Sequence, residues 1–323
     1  MVNSPLTTRN RDALGRGIKR KINGVTLDTE EFKELYPFTP NFITLNSHKL
    51  HYLDKGKGSP VVMVHGNPTW SFYFRTLVRD LSRSHRVIVP DHIGCGLSDK
   101  PSEKEYDYTL ESRVRDLDSL IKSLELDRKI TLVVHDWGGM IGCAWALKNL
   151  DRIERIVVTN TSGFHLPLAK RFPLRLWLIK YLTWFAVPAV LGLNLFSRAA
   201  LYMAPVKSLS PKVKKGLTAP YNSWKNRITT LKFVQDIPLS PKDQSHDLVT
   251  WVDSNLDRLK TIPIMILWGR HDFVFDLSFY DEWKRRFPNA QTHVFNDAGH
   301  YLFEDKPVET SNLIGQFLKD SSG

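Results

Sequence analysis

Val134-His135-Asp136-Trp137-Gly138-Gly139 marks an abrupt change of pattern in this chain. Ahead of it runs an apolar, β-branched stretch with Ile130, Leu132, Val133 and Val134; behind it Met140 to Leu150 has helical character. A strand, a sharp bend and a helix follow one another within twenty residues. The glycines let the backbone bend tightly, and such a bend lifts the side chain at its tip clear of the sheet. The residue at the tip is an aspartate. A serine there would have to lose a proton before attacking, whereas a carboxylate is already ionised and can displace a leaving group from carbon directly. An aspartate at a strand end can also serve only as a helix N-cap. The rest of the sequence decides between these readings.

Outward from the bend, the pattern alternates. Asn41 to Leu45 and Lys49 to Asp54 read as two strands joined by a turn near Asn46-Ser47. Val61 to His65 (strand), Ser71 to Leu81 (helix), Arg86 to Pro90 (strand) and Leu110 to Leu124 (helix) come next. Lys129 to Val134 leads into Asp136. Ile153 to Thr159, Ile262 to Trp268 and Thr292 to Phe295 are further strands, each of the last two followed by helical sequence. An opening hairpin followed by strands alternating with helices predicts an α/β fold. Its sheet should be mostly parallel and doubly wound, with eight strands.

About a hundred residues without a strand pattern separate Asn160 from Ile262. They are rich in Leu, Trp, Phe and Tyr and interrupted by Pro167, Pro173, Pro188, Pro205, Pro211 and Pro220. A structureless loop of that length is improbable. Residues 162–240 therefore read as an inserted helical cap over the carboxyl ends of the strands, where open α/β sheets bind ligands. The core is expected to comprise residues 31–161 and 241–323, with 246–259 returning as a core helix. Residues 1–30 read as a basic, disordered tail.

A chain of 323 residues with 42% hydrophobic content and nine Trp can build a substantial core, and its mean hydropathy of −0.28 points to a soluble protein. The net charge is +11. Arg9, Arg11, Arg16, Lys19, Arg20 and Lys21 stand against Asp12 in the tail, and the remainder reads as spread out, with no basic stripe carrying interleaved aromatics. Nucleic-acid binding is a poor explanation. The tail and the apolar cap suit contact with a membrane surface or a partner protein, and a homo-oligomer is compatible with both. Cys95 and Cys143 cannot build a multi-bridge framework, and no apolar signal core follows the basic start. A cytoplasmic location, or one peripheral to a membrane, is expected. The stretch Leu176 to Leu195 is interrupted by Lys180, Pro188, Gly192 and Asn194, so it reads as buried cap helices rather than a membrane span. Gly94-Cys95-Gly96 lacks the third glycine of a dinucleotide fingerprint, Asp99 standing in its place, and reads as a tight loop beside the site.

An aspartate nucleophile whose ester is hydrolysed needs a base to activate water and an acid to orient that base. The expected order along the chain is nucleophile, acid, histidine. Asp272 follows the strand Ile264 to Trp268, and His300 follows the one ending at Phe295. Both fall on loops facing the bend. Asp297 is the rival acid, but its closeness to His300 in sequence makes the side-chain geometry awkward. His65, His135 and His271 read as structural histidines. Asn67, after a strand, and Trp137, after the aspartate, should each offer a backbone N–H to an oxyanion. Their side chains add an amide and an indole N–H, neutral donors suited to a soft monoanion leaving into an apolar pocket. No metal cluster or phosphate loop is evident, so no cofactor is expected, and the substrate is a small apolar organic molecule.

Four segments together resemble the haloalkane dehalogenases of the α/β-hydrolase superfamily: His65 to Trp70, Pro90 to Pro101, Asp136 to Gly139, and Gly299-His300. The likeness runs from about residue 40 to 318 and is weaker across the cap. It implies that Asp136 is the nucleophile, His300 the base, Asp272 the acid, and Asn67 with Trp137 the halide clamp. One subfamily places its acid after the strand before the cap; Thr159-Asn160-Thr161-Ser162 has no carboxylate there. Asn67 further suggests the third subfamily, which also contains β-lactone decarboxylases of long-chain olefin biosynthesis. The implied activity is hydrolysis of a carbon–halide bond, with lactone decarboxylation as the alternative. Epoxide hydrolysis is a third reading, for which Tyr181, Tyr202 and Tyr221 are available.

Overall fold

The computed structural model describes residues 17–168 and 170–319. Among the described residues there are ten strands: β1 (Lys19–Ile22), β2 (Val25–Asp28), β3 (Asn41–Leu45), β4 (His48–Lys55), β5 (Pro60–Val64), β6 (Arg86–Pro90), β7 (Ile130–Asp136), β8 (Ile153–Thr161), β9 (Ile264–Gly269) and β10 (Gln291–Phe295). Eight of them form one sheet in the order β10-β9-β8-β7-β5-β6-β4-β3. Only β4 pairs antiparallel to its neighbours; from β6 to β10 the sheet is parallel. Every residue of β5, β7 and β9 is buried, as expected of central strands covered by helices on both faces.

The chain passes from β5 to β6 on one side, then crosses back to β7 on the other. A crevice opens where such a sheet reverses direction, at the carboxyl ends of the strands. Asn67 lies just past the end of β5, and Asp136 ends β7. The sheet order alone therefore brings these two residues together.

Two expectations need correction. The tail was expected to be disordered through residue 30, but β1 and β2 pair as an antiparallel hairpin in register Lys19↔Asp28 to Ile22↔Val25. Arg20 makes an ion pair with Asp99 at 2.5 Å, and the Asn23 amide donates to the Lys100 carbonyl and to Asn226. Those contacts fix the hairpin to the core. Residues 1–16 lie outside the described residues. The second correction concerns Ser71 to Leu81, which is a 3₁₀ turn (Ser71–Phe74) followed by an α-helix (Arg75–Leu81).

Between β8 and the helix His246–Asn255, the described residues hold helices and turns but no strand. The prolines act in different ways. Pro173 precedes the helix Leu174–Tyr181, and Pro211 opens the helix Pro211–Thr218, where its missing N–H leaves nothing unpaired. Pro188 breaks nothing; it sits at the start of the π-helical turn Val187–Gly192.

Candidate active site

Asp136 has φ 52° and ψ −128°, a left-handed conformation that a non-glycine residue adopts only where its surroundings enforce it. Three glycines make the bend sterically feasible. A Cβ on Gly138 would overlap the Val64 carbonyl oxygen, one on Gly139 would overlap Thr161 Oγ1, and one on Gly66 would overlap the Asp136 carboxylate itself. The Thr161 hydroxyl donates to the Asp136 carbonyl and ties the bend to β8.

The carboxylate is almost wholly withdrawn from solvent. Burial raises the Asp136 pKa, opposed by His300 and by the main-chain N–H groups of Trp137 and Asn67. The Asn67 N–H donates to Asp136 Oδ1 at 2.6 Å. Two backbone donors thus converge on the carboxylate, placed to receive negative charge on an oxygen bonded to its carbon.

His300 Nε2 stands 3.6 Å from Asp136 Oδ2, and its Nδ1 is 2.7 Å from Asp272 Oδ2. Burial disfavours the charged imidazole, but the field and hydrogen bond of Asp272, with Asp136 on the other side, raise its pKa above the ordinary value. The ring lies parallel to Phe275, centroids 5.8 Å apart, which limits its rotation. The structure therefore unites Asp136, His300 and Asp272 in one chain of contacts. A carboxylate, an imidazole and a second carboxylate in this order can attack carbon, then deprotonate a water.

The rival acid goes elsewhere. Asp297 is largely exposed and pairs with Lys306. His65 Nε2 accepts from the His92 N–H, and its Nδ1 lies 2.8 Å from its neighbour's carbonyl, Gly66 O. His135 contacts the Thr159 carbonyl, and its ring packs 4.8 Å from that of His300. His271 contacts the Asn296 carbonyl at the surface.

Asn67 and Trp137 both line a cavity of about 910 Å³ whose floor includes Asp136 and His300. The walls are almost entirely apolar, with Phe164, Leu178, Phe196, Met203 and Val249 among them. The expectation of a free Asn67 amide is modified. Its Nδ2 donates one hydrogen to the Thr230 carbonyl at 3.0 Å, which orients the group and leaves the second hydrogen for a ligand. No acceptor for the Trp137 indole N–H occurs among the described residues. Of the three tyrosines considered for epoxide opening, none lines the cavity: Tyr221 is buried with its hydroxyl on the Thr69 carbonyl, and Tyr181 and Tyr202 are exposed.

Three supporting residues escaped the sequence reading. Asn160, in the segment noted only for lacking a carboxylate, donates through Nδ2 to Asp272 Oδ2 at 3.0 Å and accepts from the Gly269 N–H at 2.8 Å. Its φ of 36° is a conformation asparagine tolerates better than most residues. Asp305 is buried and accepts from the N–H groups of Gly299, Val206 and Lys207, joining the His300 turn to the helical insertion. Asp91 accepts from Ser71 and Leu97 and contacts His51, holding the Gly94-Cys95-Gly96 loop against the Asn67 segment. Asp91 falls within the Pro90 to Pro101 segment of the resemblance but was given no role there, and no sequence signal separates Asp305 from a surface carboxylate.

The sequence profile of the alpha/beta hydrolase fold family matches residues 59–307. The chain belongs to the α/β-hydrolase family. Within it, this α/β-hydrolase is similar to the cis-3-alkyl-4-alkyloxetan-2-one decarboxylase of Shewanella oneidensis, at 48% identity over 89% of this chain and 90% of that protein. It is 32% identical to a haloalkane dehalogenase of Mycolicibacterium paratuberculosis, over 87% of this chain and 93% of the relative. The solved haloalkane dehalogenase of Agrobacterium tumefaciens C58 superimposes with a TM-score of 0.77 at 23% identity, covering 87% of this chain and 96% of that one. The last likeness concerns the fold. The α/β-hydrolase is thus haloalkane dehalogenase-like, with the lactone decarboxylases standing nearer in sequence than the dehalogenase.

Proposed function

We propose that this enzyme decarboxylates a β-lactone bearing two alkyl groups, with Asp136 as nucleophile, rather than hydrolysing a carbon–halide bond. The observation that carries the reading is the 48% identity, along nine-tenths of the chain, to a protein named for that reaction. The large apolar cavity over one buried carboxylate supports it, since a disubstituted oxetanone has two apolar arms and one reactive ring.

Chemistry supplies a route that consumes no water. Asp136 attacks the ring carbon bearing oxygen from the face opposite the C–O bond, which breaks and inverts that carbon. An ester to Asp136 and a free carboxylate result. The negative charge has moved from Asp136 to the substrate, where the Trp137 indole and the second Asn67 amide hydrogen can receive it. The carboxylate then departs as carbon dioxide. Electrons of the broken C–C bond form the alkene, and the ester C–O bond breaks to restore the Asp136 carboxylate. Inversion followed by anti elimination keeps both alkyl groups on one side, so a cis lactone gives a cis alkene. The backbone N–H groups of Asn67 and Trp137 stabilise the returning carboxylate.

On this reading residues 162–240 are the cap that walls the two alkyl arms. His300 and Asp272 would be needed outright only if the ester were hydrolysed, as a haloalkane route demands. The test offers purified enzyme a cis-3,4-dialkyloxetan-2-one and a panel of bromoalkanes, measuring alkene, hydroxy acid and bromide together. Cis-alkene formed with kcat/KM at least a hundredfold above any bromide release is expected. Hydroxy acid as the main lactone product, or bromide release as the faster reaction, overturns the reading.

A further inference from the structure

The sequence reading treated the charge beyond the tail as spread out, and it is not. From Ser162 to Gln235 there are twelve Lys and Arg and no Asp or Glu, in a chain whose net charge is +11. Some of these cations face the core: Lys170, Lys180, Lys212 and Lys215 pair with Asp276, Asp243, Glu34 and Glu31. Arg171, Arg175 and Arg198 are exposed and make no ion pair among the described residues.

The same segment carries most of the exposed large apolar side chains among the described residues. Leu174, Trp177 and Tyr181 lie on one face of the helix Leu174–Tyr181 at helical spacing, and Trp184 and Phe185 follow directly. Trp184 is 78% exposed and Leu174 69%. A cluster of exposed apolar side chains of this kind marks an interaction surface. Leu174, Phe185 and Leu195 are exposed and also line the cavity, so its mouth opens within this patch.

We propose that this face docks on an anionic lipid surface, with Trp177, Tyr181 and Trp184 at the headgroup level and the cavity mouth directed into the hydrocarbon. The chemistry of the face selects that occupant. Tryptophan and tyrosine settle at membrane interfaces, where one end of the ring is wet and the other apolar, and unpaired guanidiniums attract anionic headgroups. No single helix among the described residues is long and apolar enough to cross a bilayer. The pair Leu174–Tyr181 and Thr183–Gly192 is apolar enough jointly but is bent by 98°. Helices of eight and ten residues reach only about 12 and 15 Å, against a hydrocarbon thickness of about 30 Å. They lie in the interface rather than span it. A water-insoluble alkyl substrate then enters, and its product leaves, without crossing water. This surface does not depend on which reaction Asp136 performs.

The test sediments the full chain with vesicles of phosphatidylcholine alone and with 30% phosphatidylglycerol. Binding should be strong on the anionic vesicles and weak on the neutral ones. Trp177→Ser/Trp184→Ser should lower binding at least tenfold, and Arg171→Gln/Arg198→Gln about twentyfold, at roughly fivefold per charge removed. None of the four residues lines the cavity, so turnover of a short, water-soluble substrate should stay at the parent level in both variants. Absence of binding to anionic vesicles overturns the proposal. Binding undiminished in both variants also does, since it would then arise elsewhere on the chain. A dimer in solution that protects Trp184 from an aqueous quencher would assign the patch to self-association instead.

Discussion

Asn160 Nδ2 lies 3.0 Å from Asp272 Oδ2, the same oxygen that stands 2.7 Å from His300 Nδ1. The other carboxylate oxygen accepts from the N–H groups of Val274 and Phe275. Asp272 is therefore held on every side except the one facing the imidazole, and Asn160 also bonds both main-chain groups of Gly269. Asn160→Ala would remove three hydrogen bonds in a buried place. Leaving such partners unmet costs about 1–3 kcal/mol. Steps that depend on His300 should slow roughly tenfold to a hundredfold, with a lowered melting temperature, as single-turnover kinetics and calorimetry would show. Unchanged rates would mean that Asp272 needs no such support.

The pH dependence should differ between two substrates of one enzyme. Hydrolysis of an alkyl ester requires neutral His300, whose pKa is raised by Asp272 and Asp136. Bromide release should fall as pH drops through that raised value, above the ordinary imidazole value of about 6.5. Decarboxylation takes no proton from water and needs only ionised Asp136, itself raised by burial from the ordinary carboxylate range. Alkene formation should therefore persist to lower pH than bromide release. Coincident acid limbs in kcat/KM would show that His300 must be neutral in both reactions.

Replacing the base separates the reactions further. With His300→Phe, a bromoalkane should alkylate Asp136 and stop there, because nothing remains 3.6 Å from the carboxylate to activate water. Intact-mass spectra should show one alkyl group added in place of a proton, mapped to the peptide containing Asp136. The lactone should leave no stable adduct, since its ester collapses by losing carbon dioxide. An enzyme that still released alcohol from the bromoalkane would remove His300 from the hydrolytic step.

The core strands and the site were legible for a common reason. β5, β7 and β9 are buried on both faces, so their sequences are mostly apolar, Thr131 and His135 being the polar exceptions in β7, and each leads to a polar residue at the sheet's rim. Asp136 ends β7, and Asn67 and Asp272 each come three residues after the ends of β5 and β9. Asn160 and Asp305 were not legible because their main-chain partners lie 98 to 109 residues distant, or in their own turn. A carboxylate that caps a distant loop looks like any other in the sequence. The hairpin β1–β2 was misread because basic residues dominate it; only Arg20, folded back onto Asp99, shows why charge there is compatible with order. The concentration of cations near the cavity mouth was readable and was obscured by counting charge over the whole chain.

Asp91 offers a test of how the loop beside the site is held. It is fully buried, and although burial opposes its ionisation, His51 and the Leu97 N–H hold its carboxyl well below the usual range. The Ser71 N–H donates to it as well, at 2.7 Å. A carboxyl with a depressed folded pKa stabilises the native state above its unfolded value, about 3.9, and that contribution is lost as pH falls towards the folded value. Asp91→Ala removes the anion and strands three donors, a change expected to cost about 3–5 kcal/mol at neutral pH. The gap between parent and variant should narrow once pH drops below about 4, where the parent begins to lose the same contribution. Chemical denaturation at pH 7 and pH 3 measures both quantities. A gap that stayed constant between the two would mean that the Asp91 charge does not hold the loop, and that its neighbours are fixed by packing alone.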